Sequence, residues 1–142
     1  DNPNALMWLG QLSIDGTQPP KFHYDVGKQL RALRDEGVLI LSSGNVVHNL
    51  GVMRRVDQAP AYDWAVSFND FVREQIQNRN HAPLIQFDSQ GEAARLAIPT
   101  PEHYLPALYI LGLQRDEDQA SIFTDGIELS SISMQSFAVG AS

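Results

Sequence analysis

Two of the four histidines stand where a reactive side chain is readily delivered. His48 closes Ser43-Gly44-Asn45-Val46-Val47-His48-Asn49, directly after the apolar run Val38-Leu39-Ile40-Leu41. A β-forming run that ends in a small, Gly-containing turn brings a side chain to the rim of a sheet. An imidazole placed there can ligate a metal or move a proton near neutral pH. His103 lies in Thr100-Pro101-Glu102-His103-Tyr104-Leu105-Pro106, in the first turn of an expected helix. The positive end of the helix dipole favours the neutral imidazole that metal ligation requires. Glu102 offers a carboxylate ligand or an acid/base group, although acidic residues also suit first turns for dipole reasons alone.

The remaining candidates have competing readings. Asn45 and Asn49 either orient an imidazole and bind substrate or fill turn positions for local reasons. Tyr104 is a substrate-binding candidate beside His103, with packing as its alternative role. His81, in a polar loop before Pro83, reads as solvated, and His23, between Phe22 and Tyr24, reads as structural. His48 and His103 are 103 − 48 = 55 residues apart, so no local metal motif joins them, and two histidines leave a metal site incomplete. Neither a Gly-rich phosphate loop nor a Gly-x-Ser-x-Gly elbow accompanies them.

The elements that must position these residues read as α/β. Residues 5–14 read as a strand stopped by Asp15-Gly16, and Val26, Leu30 and Leu33 put one apolar face on a helix from Tyr24 to Glu36. Gly37 suits a left-handed cap, and a strand at 38–42 follows. Strand, helix, strand implies a right-handed crossover into a largely parallel central sheet flanked by helices. A second helix is expected from about Asp63 to Ile76, burying Trp64, Phe68, Phe71 and Val72. Residues 82–98 are ambiguous, with a helical turn at 93–96. Thr100-Pro101 resembles an N-cap with proline at the first helical position, and Pro106 either kinks that helix or begins a new one ending near Gly112. Ser121–Thr124 and Ile127–Leu129 around Asp125-Gly126 read as a C-terminal β-hairpin, followed by a strand at 132–139.

Composition sets limits on this reading. The 142 residues, 43% of them hydrophobic, suit one packed domain. Ten basic against 17 acidic residues give a net charge of −7, which disfavours nucleic acid or an anionic membrane as the main partner. Without cysteine, any metal must be held by His, Asp or Glu. No apolar stretch reaches membrane-spanning length, so a cytoplasmic protein is the expectation. The chain starts at Asp1 and turns apolar within five residues, which reads as a processed product or the C-terminal part of a larger catalytic domain.

Gln11-Leu12-Ser13-Ile14-Asp15, Phe22-His23-Tyr24, Leu41-Ser42-Ser43-Gly44-Asn45-Val46-Val47-His48-Asn49-Leu50 and Thr100-Pro101-Glu102-His103-Tyr104-Leu105-Pro106 together resemble the class III extradiol ring-cleavage dioxygenases of the LigB superfamily. The similarity is to their 4,5-DOPA extradiol dioxygenase-like branch; Gly126-Ile127-Glu128 and Ser131-Ile132-Ser133-Met134 also resemble it. The resemblance implies an α/β fold, a non-haem metal, Fe(II) first with Zn(II) as the alternative, and oxygen-dependent opening of a catechol ring. It implies that His48 is a metal neighbour or acid/base group, that His103 is a site histidine, and that Glu102 is a carboxylate contributor. His81-Ala82-Pro83 matches a family His-Pro segment only weakly.

The family's N-terminal half, which supplies further histidines, has no counterpart in this sequence. The implied partners are therefore a catechol, dioxygen and a complementary N-terminal half, with homo-oligomerisation left open. A chain lacking that half should expose an apolar strand edge, while His48 and His103 still converge with at most a partial metal shell. The competing readings are a non-catalytic binding or assembly domain that retains the fold, and a metal-dependent hydrolase.

Overall fold

The computed structural model describes residues 9–56 and 59–140, and its centre is a crossed pair of helices. Helix α6 (Leu105–Leu113) has the sequence LPALYILGL and is buried on nearly every side. A helix with no polar face can only sit inside a core. Against it lies α1 (Pro20–Gln29), which begins at a proline whose fixed φ suits a first helical turn. The two helices touch backbone to backbone. A Cβ on Gly27 would stand 2.2 Å from Tyr109 O, and one on Gly112 would stand 2.2 Å from Tyr24 O.

The single helix expected from Tyr24 to Glu36 is two. Leu30, with ψ of −5°, breaks it, and its N–H is shared between Val26 O and Gly27 O. A short α2 (Arg31–Asp35) follows, and Gly37 at φ +78° turns the chain through the left-handed region, as its place in the sequence required. α3 (Asp63–Gln77) buries Ala65, Phe68, Asn69, Val72 and Ile76, one face of an amphipathic helix, leaving Trp64 and Phe71 half-buried. The ambiguous stretch holds α4 (His81–Ile85) and α5 (Glu92–Ala97). Phe68, Val72, Leu84, Tyr104 and Leu108 meet in the core that these helices enclose.

The strands depart from expectation. β1 (Gln119–Thr124) pairs antiparallel with β4 (Ser136–Gly140), while β2 (Ile127–Glu128) pairs antiparallel with β3 (Ile132–Ser133). The expected hairpin around Asp125-Gly126 is therefore not formed, because its two arms belong to different sheets. Asp125 explains why. Its Oδ1 accepts from Asn69 Nδ2 and Gly126 N, each at 2.8 Å, and its Oδ2 pairs with Arg73. These contacts tie the corner to α3 instead of closing a two-residue loop. The 132–139 strand is likewise split, between β3 and β4.

Among the described residues no strands pair in parallel, and neither 9–14 nor 38–42 forms a strand. Residues 5–8 of the first expected strand lie outside the described residues. A strand needs neighbours for its N–H and C=O groups, and the described chain offers none at these segments. These segments therefore present no strand edge of the kind expected, but they do expose apolar side chains: Leu9, Leu39 and Leu41 are 95%, 79% and 82% exposed. No helix among the described residues is long and apolar enough to cross a membrane.

Candidate active site

Main-chain hydrogen bonds deliver His48. Its own N–H donates to Ala97 O at the end of α5 (2.8 Å), and Asn49 N donates to Ser131 O. Ser133 N donates to Val47 O, and His48 bridges Ile132 in antiparallel register. The residues just before His48 are drawn onto the other histidine's loop, where Asn45 N donates to His103 O at 2.8 Å. Gly44 permits that approach, since a Cβ there would fall 2.2 Å from the same carbonyl oxygen. His103 ends the short 3₁₀ turn Pro101–His103 that leads into α6.

The two imidazoles consequently stack, with ring centroids 3.6 Å apart and planes 23° from parallel. Both rings are partly open to solvent. Glu102 Oε1 lies 4.0 Å from His103 Nε2, close enough to interact by charge but too far for a hydrogen bond. The carboxylate is aimed by Thr100, whose hydroxyl donates to Oε1 at 2.6 Å. That bond, with its own N–H and the neighbouring imidazoles, holds Glu102 below the usual carboxylate range. His48 is pushed below the ordinary imidazole value, first by burial and then by the nearby His103, with Glu102 opposing. The lowered value favours the neutral form of His48, suited to accepting a proton or donating a lone pair.

Other candidates go elsewhere. Tyr104 is not brought to the site: it is fully buried and its hydroxyl donates to Leu84 O at 2.9 Å, so its neighbour position in sequence misleads. Burial raises its phenol far above the ordinary range, which removes it from acid/base work. Asn45 commits Nδ2 to Ser133 O (2.7 Å) and Asn49 commits Nδ2 to Leu96 O (2.8 Å), so both brace the loop. His81 is half-buried and not free in a polar loop; it lies between the Tyr24 hydroxyl (3.0 Å) and Gln114 Oε1 (2.8 Å). His23 is buried against the Tyr109 hydroxyl at 2.9 Å, a structural role. The bracing carbonyls of Ala97, Ser131 and Ser133 were invisible beforehand, because a main-chain acceptor leaves no signature in residue type. Thr100, two residues before Glu102, was the one legible hint.

The model of the catalytic LigB subunit of aromatic ring-opening dioxygenase matches residues 11–140. The chain belongs to the LigB family. Among curated relatives of this LigB chain, 4,5-DOPA dioxygenase extradiol of Escherichia coli K12 is 40% identical over 141 residues, covering 97% of this chain and 52% of that protein. The protein of the same name from Beta vulgaris is 28% identical, with 84% and 44% coverage. A crystal structure of an uncharacterized Escherichia coli K12 protein superposes with a TM-score of 0.82 at 41% identity, covering 88% of this chain and 52% of that one. The LigB chain thus spans about half the length of the relatives it matches. LigB enzymes depend on a non-haem metal. Among the described residues no three His, Asp or Glu side chains converge as a complete metal shell. The side chains gathered at this rim, His103 with Glu102 4.0 Å away and His48 stacked on it, do not converge on one point and fit such a metal only in part.

Proposed function

We propose that this chain is the C-terminal half of a non-haem metal-dependent extradiol dioxygenase that opens a catechol-type ring beside its hydroxyls. The observation that carries the reading is the stacking of His48 and His103, drawn from loops 55 residues apart to 3.6 Å. Packing alone gives no reason to hold two imidazoles face to face at a partly solvated rim. Joint service to one substrate or one metal gives that reason.

In this reading His103, with Glu102 beside it, would hold the metal, and the complementary N-terminal half would supply the remaining ligands. Fe(II) is the proposed ion and Zn(II) the alternative; when bound, it would supply Lewis-acid chemistry toward the catechol and dioxygen. His48, neutral and stacked on His103, takes a proton from a catechol hydroxyl at its free imidazole nitrogen and later returns it to the oxygenated substrate. Asn45 and Asn49 hold the His48 loop through their amides, which keeps the proton acceptor in place.

The test joins this chain to its complementary half, supplies Fe(II) anaerobically, then admits oxygen with a panel of catechols including DOPA. Oxygen uptake with a yellow ring-opened product is expected, and His48→Ala should remove turnover while substrate still binds. Absence of turnover across the panel, or full turnover by His48→Ala, would defeat the reading.

A further inference from the structure

The exposed apolar surface continues into a slot of about 670 Å³ between the extended segment at 38–43 and strand β4, floored by Pro106, Ala107 and Ile110 of α6. We propose that this slot receives a β-strand of the complementary half, inserted between Val38–Ser42 and β4, a reading that rests on the two-half enzyme proposed above. Both walls are backbone edges. Among the described residues, the N–H and C=O groups from Leu39 to Gly44 make no main-chain hydrogen bond, and β1 is the sole strand paired with β4. Main-chain groups left without partners on facing edges are a template for strand addition.

Two further observations select a polypeptide over a small molecule. The slot's single charged lining residue, Arg34, is already paired with Asp118 at 2.5 and 2.9 Å, leaving no free charge to orient a polar ligand. Leu39 and Leu41, side by side on the outer face of the same segment, need a covering layer that the described residues do not supply. The relatives' extra length, about half of each chain, is enough polypeptide to provide both a strand and that layer.

The experiment fuses the unmatched half of the 40%-identical Escherichia coli relative to Asp1 of this chain, and in a second arm co-expresses the two pieces. Amide hydrogen exchange at 38–42, and at those amides of 136–140 that are not bonded to β1, is compared with that of this chain alone. Exchange slowed about 100-fold or more at both segments, and restored by Ile40→Pro, which removes a ladder donor, is the expected result. Leu41→Lys, at a position whose exposure makes it dispensable to this chain's own fold, should weaken the co-expressed complex at least tenfold. Protected amides without oxygen uptake would support strand insertion while defeating the dioxygenase reading. Oxygen uptake with both segments exchanging as in the lone chain would overturn insertion and leave that reading intact. Protection of 38–42, or of the β4 amides not bonded to β1, already present in the lone chain, whether independent of its concentration (residues 9–14 folding into the slot) or rising with it (a second copy), would also overturn the proposal.

Discussion

Replacing Gly44 with alanine tests how the two histidines are held together. Gly44 does not have a positive φ, so the substitution meets no backbone penalty. Its effect comes from the added Cβ, 2.2 Å from His103 O where ordinary contact begins at 3.4 Å. The two loops must part by 3.4 − 2.2, about 1.2 Å, if the backbones alone yield. The Asn45 N–His103 O bond, now 2.8 Å, would then stretch to about 4.0 Å and cease to be a hydrogen bond. Overpacking of this kind costs about 1–3 kcal/mol and a stranded amide or carbonyl about another 1. The expected destabilisation is therefore about 2–4 kcal/mol. A displacement of about 1 Å at a reacting centre lowers turnover by about 100-fold. The assay is oxygen uptake with a catechol by the assembled two-half enzyme, alongside a thermal melt, with Gly16→Ala as control because nothing lies near its Cβ. Gly44→Ala with wild-type turnover and melting temperature would refute the idea that close backbone approach sets the histidine pair.

Four other outcomes follow from named contacts. Asp118 is held down to about 2 from 3.8, chiefly by the Arg34 guanidinium, which corresponds to about 2 kcal/mol of stability. That contribution is complete above about pH 4 and disappears as pH falls through 2, so Asp118→Asn should lower the urea midpoint at pH 7 and flatten its acid dependence; an unchanged midpoint would contradict it. Tyr104→Phe should cost about 1–2 kcal/mol by stranding Leu84 O, with catechol KM unchanged, whereas a raised KM would return Tyr104 to the substrate. Gly112→Ala should disrupt the α1–α6 crossing by at least about 2 kcal/mol, read by chemical denaturation; a stable variant would show that the helices can slide apart. In the assembled enzyme His103→Gln should lower metal affinity more than about tenfold, measured by metal analysis after dialysis, and retained stoichiometric metal would remove His103 from the shell.

The local signals in the sequence were reliable where a residue acts through its own backbone or its immediate neighbours. Gly37 ends the first helical region in the left-handed conformation, α3 follows its apolar spacing, and Pro106 opens a helix that runs to Leu113. The convergence of His48 and His103 was legible because both sit at element boundaries in recognisable blocks. Misreadings arose where distant contacts decide. Asp125-Gly126 has hairpin chemistry, yet Asn69 and Arg73 claim the aspartate and send the two arms to different sheets. Val38–Leu41 has strand composition, but strand formation depends on partners that the described chain does not contain. His81 looked solvated because nothing in the sequence announces Tyr24 and Gln114 as its neighbours.

The loop that carries His48 is fastened almost wholly to carbonyl oxygens, those of Leu96, Ala97, His103, Ser131 and Ser133. A carbonyl is the same group whatever side chain its residue bears. Apart from the His103 imidazole and the Ser131 hydroxyl, which itself donates to Asn49 O at 2.8 Å, side-chain changes at those five acceptors leave these bonds chemically unchanged, and selection on loop geometry falls instead on Gly44, Asn45 and Asn49. The site can thus preserve its shape while most of its surroundings diverge, so an inventory of variable positions around it would understate how rigidly it is built.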